Sequence, residues 1–328
     1  MASPREARRL RCGRPQASGL THASATLSFD VQDARVGAKG RSRFAVRYGS
    51  MTDPQPVSLP RVFLNHFYVV LDSPTCNAVE QDAFLRRRFA IGEKRTTTNA
   101  DRTYTGLYFY GLNTYFEFFD VGNSPTHRVG DSGIAFGVDQ PGALPVLQER
   151  FGPSFEPALK SVTRLYQGKP IPWFFMATAN NLPYESELSC WVMEYHPDFL
   201  THWNPQPKGS NLGISRKEIL QRYTDVLEPV NEPILEDVIE LTVAANARAT
   251  NSLMDLCLKL GYQTERKENG VALRGPDFVL LLIPATESVR GIREIKMRAR
   301  NLKEHEEEYQ LGQSVLKFVG PSAVWSFR

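Results

Sequence analysis

The 328 residues include 41% apolar and 11% aromatic side chains, which suits ordinary globular domains; the length exceeds what one hydrophobic core usually fills, so two folded units are expected. No apolar run approaches the roughly 20 residues of a membrane span. The net charge of +3 comes from residues 1–50, with ten basic against three acidic side chains; the rest holds 29 basic against 33 acidic, which excludes a nucleic-acid footprint on the folded part.

Residues 1–50 are rich in Arg, Gly, Ala and Ser and lack the apolar core of a secretory signal, although a transit peptide has a similar composition. Met51 opens MTDPQPVSLP, a short polar lead into the first strand, and reads as an alternative start. Residues 1–58 are expected to be a disordered or dispensable leader.

The alternation in FLNHFYVVLD (63–72) predicts a strand, NAVEQDAFLRRRFA (77–90) a helix, and EKRTTT (93–98), TGLYFYGL (105–112) and TYFEFFDV (114–121) three more strands. The βαβββ order then repeats: GIAFGVD (133–139), the helix ALPVLQERF (143–151), KSVTRLYQ (160–167), PWFFMATA (172–179) and SCWVMEYH (189–196). Neither unit is large enough to close its own core, so the two should pack side by side. NPQPKGSNLG (204–213) reads as a linker, followed by a short helix in which Ser215 and Glu218 have capping-box spacing.

A third unit runs from DVIELTVAAN (237–246) through the helix ATNSLMDLCLKLG (249–261) to DFVLLLIP (277–284). A fourth, degenerate one runs from GIREIKMRA (291–299) to SAVWSF. KEHEEEY (303–309) reads as a solvated charged helix. The expected fold is therefore α+β, with paired βαβββ modules forming half-barrel sheets in two tandem domains. The site-bearing domain spans 59–203, a linker with a short helix 204–234, and a second, degenerate domain 235–328. Cys12, Cys76, Cys190 and Cys257 form no CxxC pair, which argues against a zinc knuckle or disulfide framework and fits a cytoplasmic location.

Within a strand, side chains two apart share a face. His66, Tyr68 and Val70 therefore oppose Phe67, Val69 and Leu71, and Tyr115, Glu117 and Phe119 oppose Phe116 and Phe118. A His and a Glu among aromatic neighbours are costly to bury without a partner. Gly133, Ala135 and Gly137 share a face opposite Ile134, Phe136 and Val138; the bulky set should meet the helix and the small set line a concave side with room for a ligand.

The repeated unit, the His six residues before an Asp in LNHFYVVLD and the Glu in TYFEFFDV together resemble the vicinal oxygen chelate superfamily, which includes glyoxalase I, extradiol dioxygenases and the bleomycin-resistance proteins. The resemblance implies a divalent cation (Zn, Ni, Co, Mn or Fe) held by the first and fourth strands of each unit. His66 and Glu117 match the ligand positions of the first unit. Alignment of CWVMEYHP on TYFEFFDV makes Glu194 the third ligand, and Gly133 stands where a fourth is expected. In the second half Glu240 matches His66, but Leu281 stands where Glu117 does, so this half is expected to close the first domain or to form a homodimer interface.

The resemblance implies a metal-dependent lyase or isomerase acting on a small carbonyl-bearing substrate, in which the cation polarises the carbonyl and Glu194 moves the proton. Glu194 and His196 are the catalytic candidates. Tyr68, Tyr115, Phe119, Gly133, Ala135 and, for an anionic group, Arg95 are the substrate-contact candidates. Two rivals share the cup: an extradiol-type dioxygenase, with His196 as its second His, and a metal-free small-molecule binding or resistance protein. The partner in each case is a small molecule, with neither nucleic acid nor membrane involved.

Overall fold

The computed structural model describes residues 59–99, 102–123, 126–156, 158–183, 186–202, 213–300 and 308–328. Its first module comprises β1 (Val62–Leu71), α1 (Ser73–Gln81), β2 (Ile91–Thr98), β3 (Thr103–Tyr110) and β4 (Tyr115–Asp120). The second comprises β5 (Ser132–Val138), α2 (Ala143–Phe151), β6 (Lys160–Tyr166), β7 (Lys169–Thr178) and β8 (Leu188–Tyr195), after which come α3 (Pro197–His202) and α4 (Arg216–Thr224). The third comprises β9 (Leu235–Ala245), α5 (Ala247–Lys259), β10 (Gln263–Lys267), β11 (Gly270–Arg274) and β12 (Val279–Pro284). The fourth runs from β13 (Gly291–Ala299) to β14 (Glu308–Leu311), β15 (Ser314–Val319) and β16 (Ser322–Phe327), with no helix among the described residues.

Each pair of modules makes one eight-stranded sheet, ordered β2-β3-β4-β1-β5-β8-β7-β6 and β10-β11-β12-β9-β13-β16-β15-β14. In both, the first strand of each module lies at the centre. β1 pairs antiparallel with β5 and β9 with β13, while β4 and β8 run parallel to β1 and β5. This is the expected α+β arrangement of two tandem half-barrels.

Local chemistry sets the element boundaries. Asp72 caps α1 by accepting from the Thr75 backbone N–H at 2.9 Å, and Asn246 does the same for α5 through Ala249 at 2.9 Å. Ser215 and Glu218 form the anticipated capping box at the start of α4. The helix expected over 77–90 is instead α1 followed by a π-helical turn, Leu85–Phe89. Strands β10 and β14 and helix α3 carry too weak an apolar period to stand out in the sequence. Glu308 and Tyr309, read as the end of a charged helix, belong to β14; the rest of that segment, residues 1–58 and residues 204–212 lie outside the described residues.

The two faces of the first sheet differ in their partners. Phe67, Phe116, Phe118, Ile134 and Phe136 join a core shared with the second sheet, where Trp325 packs 5.0 Å from Phe118 and 6.1 Å from Phe116. The opposite face, bearing Tyr68, Tyr115, Ala135 and Trp191, curls into a cup and forms a second buried cluster with Ile219, Leu220 and Tyr223 of α4. Among the described residues no helix is long and apolar enough to cross a membrane.

Candidate functional site

Two irregularities in the strands shape the cup. In β1, Leu64 pairs with Phe136 and His66 with Ala135, so Asn65 is an inserted residue. This bulge lets Leu64 face the shared core while His66, two positions on, faces the cup. In β7 the register jumps from Val162↔Phe174 to Thr163↔Pro172, which makes Trp173 the extra residue and turns both Trp173 and Phe174 toward the cup.

The cup encloses a cavity of about 460 Å³, within the range that small-molecule sites occupy. His66 and Glu117 supply the buried polar pair of its lining, with Nε2 of the imidazole 3.9 Å from Oε1 of the carboxyl. Around them stand Tyr68, Tyr115, Phe119, Trp191, Trp173 and Met176. The His66 ring stacks on Tyr115 with centroids 4.6 Å apart and meets the edge of Trp191 at 5.6 Å. The Tyr68 hydroxyl lies 3.3 Å from Ser189 Oγ, and Trp173 donates through its indole N–H to the Tyr223 hydroxyl at 2.9 Å, tying the wall to α4.

Burial dominates the electrostatics of the pair. Desolvation, helped by the positive charge of Arg95, lowers the His66 imidazole to a pKa of about 3, so the ring is neutral. Its Nδ1 lies 2.8 Å from Asn65 Oδ1. With Nδ1–H donating there, the Nε2 lone pair points into the cavity. Desolvation raises Glu117 to about 7, against the pull of Arg95, the Tyr108 and Tyr115 hydroxyls and Arg102. The carboxyl therefore changes charge near neutral pH, where a group that gives and takes protons is most useful.

The remaining site candidates lie elsewhere. Glu194 accepts from the backbone N–H of Gly142 at 2.7 Å and of Leu144 at 2.9 Å, which caps α2 on the face opposite the cup. His196 follows β8 on that same side, with its ring 4.7 Å from Phe175 and its Nδ1 accepting from the Asp198 N–H at 3.1 Å; it does not reach His66. The strand pairing identifies the true counterpart of Glu117. Glu117 pairs with Tyr68 and Trp191 with Ala135, the same step in the second module, so the place expected for a carboxylate holds an indole.

Gly133 does not open the cavity, because the Tyr68 ring occupies the space its missing Cβ leaves. Ala135 is fully buried between its neighbours. Arg95 lies beneath the cup rather than in it. Its guanidinium donates to Glu93 Oε1 at 2.7 Å and to the Tyr110 hydroxyl at 3.0 Å, and sits 3.9 Å over the Tyr108 ring.

The donor set therefore does not fit the cation that the resemblance implies. One imidazole and one carboxyl remain, and the other two corners are filled by the Tyr68 and Trp191 rings. Among the described residues no three His, Cys, Asp or Glu side chains converge as a metal-binding group. The second sheet repeats the register, with Leu281 opposite Thr242 as Glu117 is opposite Tyr68, and offers Glu240 without a partner carboxylate at Leu281.

A model of the family of unknown function DUF5829 matches residues 64–327, a span that takes in the cup and both sheets. The chain belongs to this family. No curated protein matches it. Among solved structures, a hypothetical protein from Staphylococcus aureus is similar at a TM-score of 0.49 and 10% identity, over 79% of this chain and 98% of that one. A fusion of a xylose isomerase-like TIM barrel with 4-hydroxyphenylpyruvate dioxygenase is similar at 0.38 and 12%, over 73% of this chain and 36% of that one. The DUF5829 match thus covers the bulges, the polar pair and the α2 cap as one unit.

Proposed function

We propose that the cup of the first sheet binds a small planar organic molecule and that His66 and Glu117 engage its polar group, exchanging a proton with it without a resident metal. The observation that carries this reading is the buried imidazole–carboxyl pair, 3.9 Å apart, lining an aromatic-walled cavity of about 460 Å³. Flat aromatic walls favour planar ligands, and a few convergent polar groups orient them. A carboxyl that titrates near pH 7 can both take and give a proton, and the neutral imidazole beside it offers a hydrogen-bond acceptor that orients the ligand, which supports proton transfer of the isomerase or lyase kind.

The metal-dependent version and the extradiol version both need donors that Gly133, Trp191 and the remote His196 do not provide.

The test is ligand-induced thermal stabilisation with a neutral planar probe, 6-hydroxy-2-naphthamide, in the presence of EDTA. At a hundred times its dissociation constant the probe should add about 2.7 kcal/mol, a rise of several degrees in Tm. The rise should survive EDTA and be largely lost in Glu117→Ala. Absence of stabilisation, or stabilisation that requires added divalent metal, would overturn the reading.

A further inference from the structure

We infer that the ligand of the cup is a planar organic acid whose carboxylate sits at the rim between Arg102 and Lys160. The inference rests on the cup being a ligand site and names the class of molecule it takes. Its basis is the set of charged groups that line the cavity. Besides the buried His66 and Glu117, the lining includes two cationic side chains, Arg102 from the β2–β3 connection and Lys160 from the first position of β6.

The backbone of the β2–β3 connection positions Arg102. The Asn99 N–H donates to the Arg102 carbonyl at 2.9 Å and the Arg102 N–H donates to Asn99 Oδ1 at 2.9 Å, which closes the turn and fixes where Arg102 leaves the backbone. Its guanidinium lies 5.0 Å over the ring of Tyr104, another lining residue. Lys160 pairs across the sheet with Met176, also in the lining, and the edge strands β2 and β6 of the first sheet are in contact. The Lys160 ammonium is 3.1 Å from Glu156, and both side chains are partly exposed. An ion pair of that kind is weak and is readily exchanged for a ligand carboxylate.

The same layout dictates how the ligand enters. A carboxylate directed at Glu117 would meet a group that is itself anionic above neutral pH, in a desolvated place. The neutral or hydroxyl end therefore goes inward and the anion stays at the rim, where a guanidinium fork and an ammonium can both reach it.

The experiment compares 6-hydroxy-2-naphthoate with its isosteric amide, 6-hydroxy-2-naphthamide, by fluorescence titration of the full chain. The acid should bind about tenfold more tightly than the amide, the gain expected from two partly solvated cations. That ratio should fall toward one in the double variant Arg102→Gln, Lys160→Gln and as ionic strength rises in the wild type. It should persist in Arg102→Lys, Lys160→Arg, which keeps the charges. Equal affinity for acid and amide in the wild type, or a ratio unchanged by salt and by the neutral variants, would overturn the inference while leaving the cup as a ligand site. Failure of both probes to bind would overturn the ligand site itself, and the inference with it.

Discussion

Nε2 of His66 and Oε1 of Glu117 face each other at 3.9 Å, one from β1 and the other from its parallel neighbour β4, with both side chains buried. Neither group is held in its charged form by an opposite charge at hydrogen-bonding distance, and burial moves both toward neutrality.

This pair predicts a characteristic dependence of stability on pH. Glu117 rises from 4.5 to about 7 on folding, so the folded state binds its proton more tightly. The stability it contributes is full below pH 4.5 and is lost as the pH rises through about 7, at most about 3 kcal/mol. His66 falls from 6.5 to about 3, so its contribution is full above pH 6.5 and is lost as the pH falls toward 3. The two slopes oppose one another between pH 4.5 and 6.5. Denaturant melts should show Glu117→Gln gaining stability with pH across that window and His66→Gln losing it, with the wild type flatter than either. Parallel curves for all three would refute the assignment.

Glu194 acts on α2 and not on the ligand. Glu194→Ala leaves the Gly142 and Leu144 N–H groups without their acceptor and should cost about 2 kcal/mol. Its affinity for 6-hydroxy-2-naphthamide should match the wild type under conditions where both are folded. A variant that keeps full stability but loses the probe would place Glu194 in the site after all.

Gly133 and Tyr68 form a size-matched pair. Gly133→Ala drives a methyl group into the Tyr68 ring and should destabilise by roughly 1–3 kcal/mol. Combined with Tyr68→Val it should cost clearly less than the two single changes added together, because the second change clears the space the first needs. Strict additivity in the double-mutant cycle would show that the ring does not fill that corner.

The repeated order of strands and helices was legible in the sequence because alternation and helical period recur with the same spacing in each module. So was the division of faces in β1 and β4, since period-two patterning needs no tertiary information. Glu194 was misassigned for a physical reason. Its alignment on Glu117 matched residue types, whereas the true register places Trp191 there; an odd slip of three residues sends a strand side chain to the opposite face. The signal that could have corrected it is the alternation of Ser189, Trp191, Met193 and Tyr195 against Cys190, Val192 and Glu194. The bulges at Asn65 and Trp173, and the presence of Arg102 and Lys160 in one cavity lining, depend on how the sheet curls, which local pattern does not encode. Arg95 stood out as a candidate for an anionic group because the Tyr108 and Tyr110 side chains that engage it come from the next strand.

With two donors in place of four, metal content gives a further expectation. Elemental analysis of protein purified without chelator should find no stoichiometric divalent metal and equal traces in the wild type and His66→Ala, and EDTA should leave Tm unchanged. Stoichiometric metal that disappears in His66→Ala would restore the metal-dependent reading.

The most direct measurement of the central claim is the ring-nitrogen NMR spectrum of ¹⁵N-histidine-labelled protein titrated with 6-hydroxy-2-naphthamide in EDTA. The His66 signals, assigned by their loss in His66→Gln, should be those of a neutral ring at pH 6 and should shift to saturation at one probe per chain, while those of His196 and His202 stay in place. A His66 signal that ignores the probe, or moves only after divalent metal is added, would contradict the account.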